Sequence, residues 1–158
     1  AASGIVAGLV AITPACAAVS PLGALAIGLL AGVLCALAVG LKYKFKYDDS
    51  LDVVGVHLAG GLIGSLLLGL FADRAFNPAV VHQGVFIDGS WELMGDQLIA
   101  VGATLVWSAG LTFVILKVLD MVMGLRVTEE EESIGLDLAL HDERGYNEYH
   151  DYYDGYYD

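Results

Sequence analysis

The first 41 residues, Ala1 to Leu41, contain no charged side chain. As one continuous helix they would extend about 60 Å at 1.5 Å per residue, about twice the hydrocarbon thickness of a bilayer. A stretch this long and this apolar therefore turns back on itself as two membrane spans. The break is marked by Thr13-Pro14 and Ser20-Pro21, because the residue before a proline is driven out of helical geometry. The spans are predicted over 1–17 and 21–41. No basic segment precedes the first apolar run, so it reads as a span and not as a signal peptide.

Composition agrees with a membrane body. The chain is 57% hydrophobic and only 16% charged, whereas a soluble domain averages about 45–50% apolar and about a quarter charged. The 19 acidic and 7 basic groups are also segregated. Residues 127–158 hold 11 acids and one base, Arg144, so 10 of the 12 net negative charges lie there. The nearly neutral remainder excludes an ordinary soluble domain. The acidity disfavours nucleic acid as a partner, because phosphate binding needs basic stripes. The predicted organisation is a transmembrane region over 1–126 and an acidic tail over 127–158.

Lys42, Lys44 and Lys46 alternate with Tyr43, Phe45 and Tyr47, a basic, aromatic loop that reads as cytoplasmic. Asp48, Asp49 and Ser50 then offer capping groups for a third span over 51–72. A polar loop over 73–96 leads to a fourth span over 97–120. Lys117 and Asp120 read as an interfacial pair, and Arg126 closes the helix. Two crossings separate the lysine loop from Arg126, so the tail is also predicted to be cytoplasmic. Gly4/Gly8, Gly28/Gly32 and Gly60/Gly64 have the spacing of close helix approach. Cys16 and Cys35 read as buried small apolar residues, and neither has metal-type spacing.

His57 is the sharpest chemical feature. An ionisable group inside a span is costly and marks a functional hypothesis. Gly60, Gly61 and Gly64 follow at spacings that share its face on an α-helix, where they allow either a close helix or a small solute. Imidazole both donates and accepts hydrogen bonds and can relay a proton near neutral pH. The alternative is a histidine hydrogen-bonded between helices for structure. Asp52 reads as a structural anchor at the mouth of the same span. In the tail, Thr128 followed by Glu129 to Glu132 is a helix start. His141 and His150 sit among acids but read as a solvated tail. One alternative for the whole is a free-standing four-span subunit whose acidic tail binds a regulatory partner.

Three blocks of residues resemble the C-terminal portion of the ammonium transporter (Amt/Mep) family. Ala7-Gly8-Leu9-Val10-Ala11-Ile12-Thr13-Pro14-Ala15-Cys16 is similar to the eighth-helix signature. The run from Asp48 to His57 resembles the start of the tenth helix. Gly124-Leu125-Arg126-Val127, Glu129 to Glu132, Gly135-Leu136-Asp137 and His141-Asp142-Glu143 with Tyr146 resemble the end of the eleventh helix and the regulatory tail.

The resemblance implies an all-α integral membrane fold of eleven helices, of which the four spans here are the last four. It implies a homotrimer in the plasma membrane, with one pore per subunit and no cofactor. The transported substrate is ammonium: NH4+ is deprotonated, and ammonia and the proton pass a pair of pore histidines. One of these matches His57, and its partner belongs to a part of the fold outside this chain. By the same resemblance Val53 and Val6 line the pore and Ser3 supplies a hydroxyl to the outer site. Arg126, Gly135, Leu136, Asp137, His141, Glu143 and Tyr146 form the regulatory tail, on whose face a PII-type signalling protein can dock. The chain departs from the family pattern at Leu58, Asp142 and Gly145. On this reading it is a transporter component and not an enzyme.

Overall fold

The computed structural model describes residues 2–143; Tyr146 and the tyrosine-rich end lie outside them. All the regular elements among the described residues are helices, joined by turns and loops, with one isolated antiparallel bridge between Val19 and Ala72. They divide into two units, 1–109 and 110–158.

In the first unit, helix α1 covers Ala2–Ile12. It stops where the sequence stops it: Pro14 cannot donate into the next turn, and the Thr13 hydroxyl bonds the Leu9 carbonyl at 2.7 Å. Tight turns then carry the chain to Val19. The expected first span over 1–17 is thus helical only to Ile12. At 11 residues that is about 16 Å of helix, half a bilayer core.

Helix α2, Pro21–Phe45, begins with the Ser20 hydroxyl accepting the Gly23 N–H at 3.0 Å and with proline in its first turn, the position where a missing N–H costs nothing. It continues past the last uncharged residue and ends at Lys46 in left-handed geometry. The third span is two helices in series. Val53–Leu58 is π-helical, and α3 follows over Ala59–Phe71. After a loop and the short α4, Val85–Asp88, α5 runs over Glu92–Met123. Among the described residues, three helical segments are therefore long and apolar enough to cross a membrane: Pro21–Phe45, Val53–Phe71 and Glu92–Met123.

The core is made by α1, α2 and the π/α3 segment packing on one another. Ala11, Ala15, Val19, Ile27 and Ala31 form one buried cluster, and Ala7, Cys35 and Val56 a second. The residues are small because the backbones are close. A side chain at Gly64 would meet the Ala11 carbonyl oxygen at 2.0 Å. Gly4, Gly8, Gly28 and Gly32 share the same spacing but face open space within the chain. Cys16 is exposed, correcting the expectation that both cysteines are buried; the turn after Pro14 carries its thiol outward.

The loop between α3 and α4 is tied by its own polar groups. The Arg74 guanidinium donates to the Val80 carbonyl at 2.9 Å and to that of Val81, and the Gln83 side chain accepts the Arg74 N–H. Phe71 and Phe86 stack edge to face at 5.3 Å. In the second unit, α5 ends at Met123, where Gly124 takes a positive φ of 73°. Helix α6, Glu129–Ile134, starts on a capping box between Thr128 and Glu131, and α7 covers Leu136–His141. Lys117 lies over the Phe113 ring at 6.0 Å, so the expected pairing with Asp120 gives way to a cation–π contact one turn back.

Candidate pore segment around His57

Helix α2 delivers Lys42 to its C-terminal end, next to the loop that opens the third span. Lys42 Nζ donates to Asp52 Oδ1 at 2.6 Å and to the Asp49 carbonyl at 3.0 Å. The pair is only 15% and 23% exposed, so water screens it less than a surface ion pair. Asp52 has φ 56°, a left-handed geometry that aspartate tolerates better than most residues. The chain can thus turn sharply from loop into helix.

Asp49 caps the start of this helical segment. Its Oδ1 accepts the Val53 N–H at 2.7 Å, and its Oδ2 accepts those of Val54 at 3.0 Å and Gly55 at 3.3 Å. A helix start leaves its first amides without intrahelical partners and carries partial positive charge; one carboxylate answers both. Capping chemistry is legible in Asp48-Asp49-Ser50, but which group performs it is not. Asp48 instead bonds the Ser50 hydroxyl at 3.1 Å.

The capped segment is π-helical over Val53–Leu58, with the Ala59 N–H reaching back to Val54. Gly55 presses on α2 so closely that a methyl group there would lie 2.6 Å from Val39 Cγ2. Val56 is buried beside Cys35, whose Sγ lies 3.9 Å from the Val56 carbonyl. His57 is exposed, as are Val53 and Leu58. The imidazole makes no hydrogen bond to any described residue.

This divides the face that α-helical spacing puts together. Gly60 and Gly64 are buried against α1, Gly61 meets nothing within 4 Å, and His57 points away from the packed side. The π turn is the physical reason. It takes in an extra residue relative to an α turn, about 100° of rotation at 3.6 residues per turn. Single π turns occur frequently at functional sites, and the sequence carries no periodic sign of this one.

Ser3 and Val6 are both exposed on α1, three residues apart and so on one side of it. No hydrogen bond joins either to His57 among the described residues. Of the tail residues, Arg126 approaches Glu132 at 3.7 Å. Gly135, at φ 98°, forms the corner between α6 and α7. Leu136, Asp137 and His141 lie on α7, and the Glu143 N–H donates to the Asp137 carbonyl at 3.1 Å. Leu136, Asp137, His141 and Glu143 are exposed, and Tyr146 is outside the described residues. No cluster of three or more metal-binding side chains occurs among the described residues.

Comparison with known proteins gives the family. The model of the Ammonium Transporter Family matches residues 1–146. An ammonium transporter of Mycobacterium tuberculosis is 53% identical over 152 residues, covering 93% of this chain and 32% of that protein. An ammonium transporter of Bacillus subtilis is 46% identical over 149 residues, covering 94% and 36%. The crystal structure of Saccharomyces cerevisiae Mep2 superposes with a TM-score of 0.74 at 36% identity, over 81% of this chain and 30% of that one. The chain therefore spans about a third of the length of the relatives it matches. With apolar helices of membrane-crossing length and a family match over nearly its whole extent, the chain is a membrane protein and belongs to the ammonium transporter family.

Proposed function

We propose that the chain is the C-terminal portion of an ammonium transporter, helices eight to eleven with the tail, and that it supplies one wall of an ammonium pathway. The observation that carries this is His57. It is an ionisable ring, exposed on the otherwise uncharged segment Val53–Phe71 and bonded to no described residue, in a chain of this family.

The chemistry follows from solvation. A charged ion in the bilayer interior is costly, and ammonium loses that cost when it gives up its proton and crosses as ammonia. An imidazole can accept and hand on the released proton, which on this reading passes along the pore histidines, and can hydrogen-bond the neutral species. On this reading Val53 and Val6 keep the passage apolar, Ser3 contributes a hydroxyl to it, and a second histidine comes from the remainder of the transporter. Residues 1–126 form the transmembrane part. Residues 127–158 form a cytoplasmic tail that couples the subunits of a homotrimer in the plasma membrane and receives a PII-type protein.

The test is His57→Ala in the full-length transporter, expressed in cells lacking other ammonium uptake. Methylammonium uptake per inserted molecule falls by about 100-fold, the low end of what a positioned proton-transfer group contributes, or discrimination against potassium is lost. Unchanged flux and selectivity would leave His57 as a packing residue.

A further inference from the structure

We propose that Asp49 is a positioning residue for His57, holding the π-helical turn that sets the direction of the imidazole. The inference rests on reading His57 as a pore residue, and it adds a second group, at the cytoplasmic mouth on that reading, on which the pore geometry depends.

Three observations meet at this carboxylate. It accepts the first three amides of the π segment, Val53, Val54 and Gly55, at 2.7–3.3 Å. Its own backbone is pinned, because its carbonyl accepts from Lys42 Nζ at 3.0 Å while the same ammonium holds Asp52 at 2.6 Å. The far side of the segment is blocked, since Gly55 lies directly on the Val39 backbone. The start of the segment is thus fixed by Asp49, its middle by the Gly55–Val39 contact, and its end by α3.

A chain clamped at both ends with one residue too many for α geometry keeps the extra residue as a π turn. Releasing the Asp49 clamp leaves the segment held only by the Gly55–Val39 contact and by α3, so its first turn loosens and the direction that the π turn gives His57 is no longer fixed. Asp48 serves as the internal control. It is one residue away and is also an aspartate, but it bonds only the Ser50 hydroxyl.

The experiment uses the full-length transporter in bilayers with ring-15N-labelled histidine, the His57 signals being assigned by their loss in His57→Ala. Asp49→Asn is expected to shift the His57 ring resonances and to lower methylammonium uptake per inserted molecule by roughly tenfold. In a His57→Ala background the same substitution is expected to add little, because the two act as one unit. Asp48→Asn is expected to leave the ring signals and uptake unchanged. If Asp49→Asn inserts poorly, Asp49→Glu, one methylene longer, is read by the same signals. Unmoved ring resonances and unchanged uptake in Asp49→Asn, or an equal further loss in the His57→Ala background, overturn the positioning role. Wild-type flux in His57→Ala with shifted ring signals in Asp49→Asn would instead overturn the pore reading and leave the geometric claim standing.

Discussion

Gly64 has no room for a side chain: a methyl group there would sit 2.0 Å from the Ala11 carbonyl oxygen, against rigid backbone. Gly61, three residues earlier, meets nothing within 4 Å. Gly64→Ala should destabilise the purified full-length protein by about 1–3 kcal/mol, the usual cost of overpacking. Gly61→Ala should stay within about 0.5 kcal/mol. Thermal unfolding in detergent separates the two, and equal effects would contradict the close α1–α3 approach. The sequence announces Gly60/Gly64 by spacing, but it announces Gly4/Gly8 and Gly28/Gly32 equally well, and those face open space within the chain. Spacing says that a helix face is small; which backbone presses on it is decided by the tertiary arrangement. His57 is legible for the opposite reason, since an imidazole in an uncharged run stands out in any arrangement. Its π turn is not, because that depends on the reach of Asp49 and on the contact of Gly55 with Val39.

Helix boundaries are legible where a side chain or a proline writes them. Ser20-Pro21 starts α2 and Thr13-Pro14 stops α1. The last uncharged residue, Leu41, suggests an end to α2, yet the helix continues to Phe45, because lysine forms helix readily and the Lys42 ammonium is paired with Asp52. Thr128 and its acids mark the start of α6, and the capping box is formed. Thr128→Ala should weaken α6 by about 1 kcal/mol. The box also predicts a pH dependence. The Thr128 N–H and hydroxyl donate to the Glu131 carboxylate and hold its pKa below the ordinary 4.5. A depressed acid stabilises the fold above its unfolded-state pKa. That contribution is therefore complete above about 4.5 and disappears as the pH falls through the lower folded value. Amide hydrogen exchange of residues 129–134 should accelerate on acidification beyond the intrinsic trend, and Glu131→Gln should remove most of that dependence. A pH-independent α6 would contradict the box.

At the scale of the whole molecule, the membrane assignment is readable from sequence and the packing only partly so. An uncharged run and a segregated acidic tail are properties of composition, visible without coordinates. Packing partners are not: no residue of α5 is buried, and nothing in its composition says what covers it. The chain spans about a third of the matched transporters, and on the proposed reading the remainder supplies that cover and the second pore histidine. The tail gives a separate prediction. Deleting the residues from Glu129 onward in the full-length transporter should lower uptake per inserted molecule by roughly fivefold, the effect of about 1 kcal/mol of coupling. Wild-type uptake after truncation would remove the regulatory role.

The most direct measurement is flux through the purified full-length transporter in liposomes, with an ammonium gradient, an internal pH dye and a matched potassium gradient. Rapid, selective ammonium flux is expected for the wild type, and its loss, or the loss of discrimination against potassium, in His57→Ala at equal protein content. Equal rates and equal selectivity in the two proteins would contradict the pore role of His57.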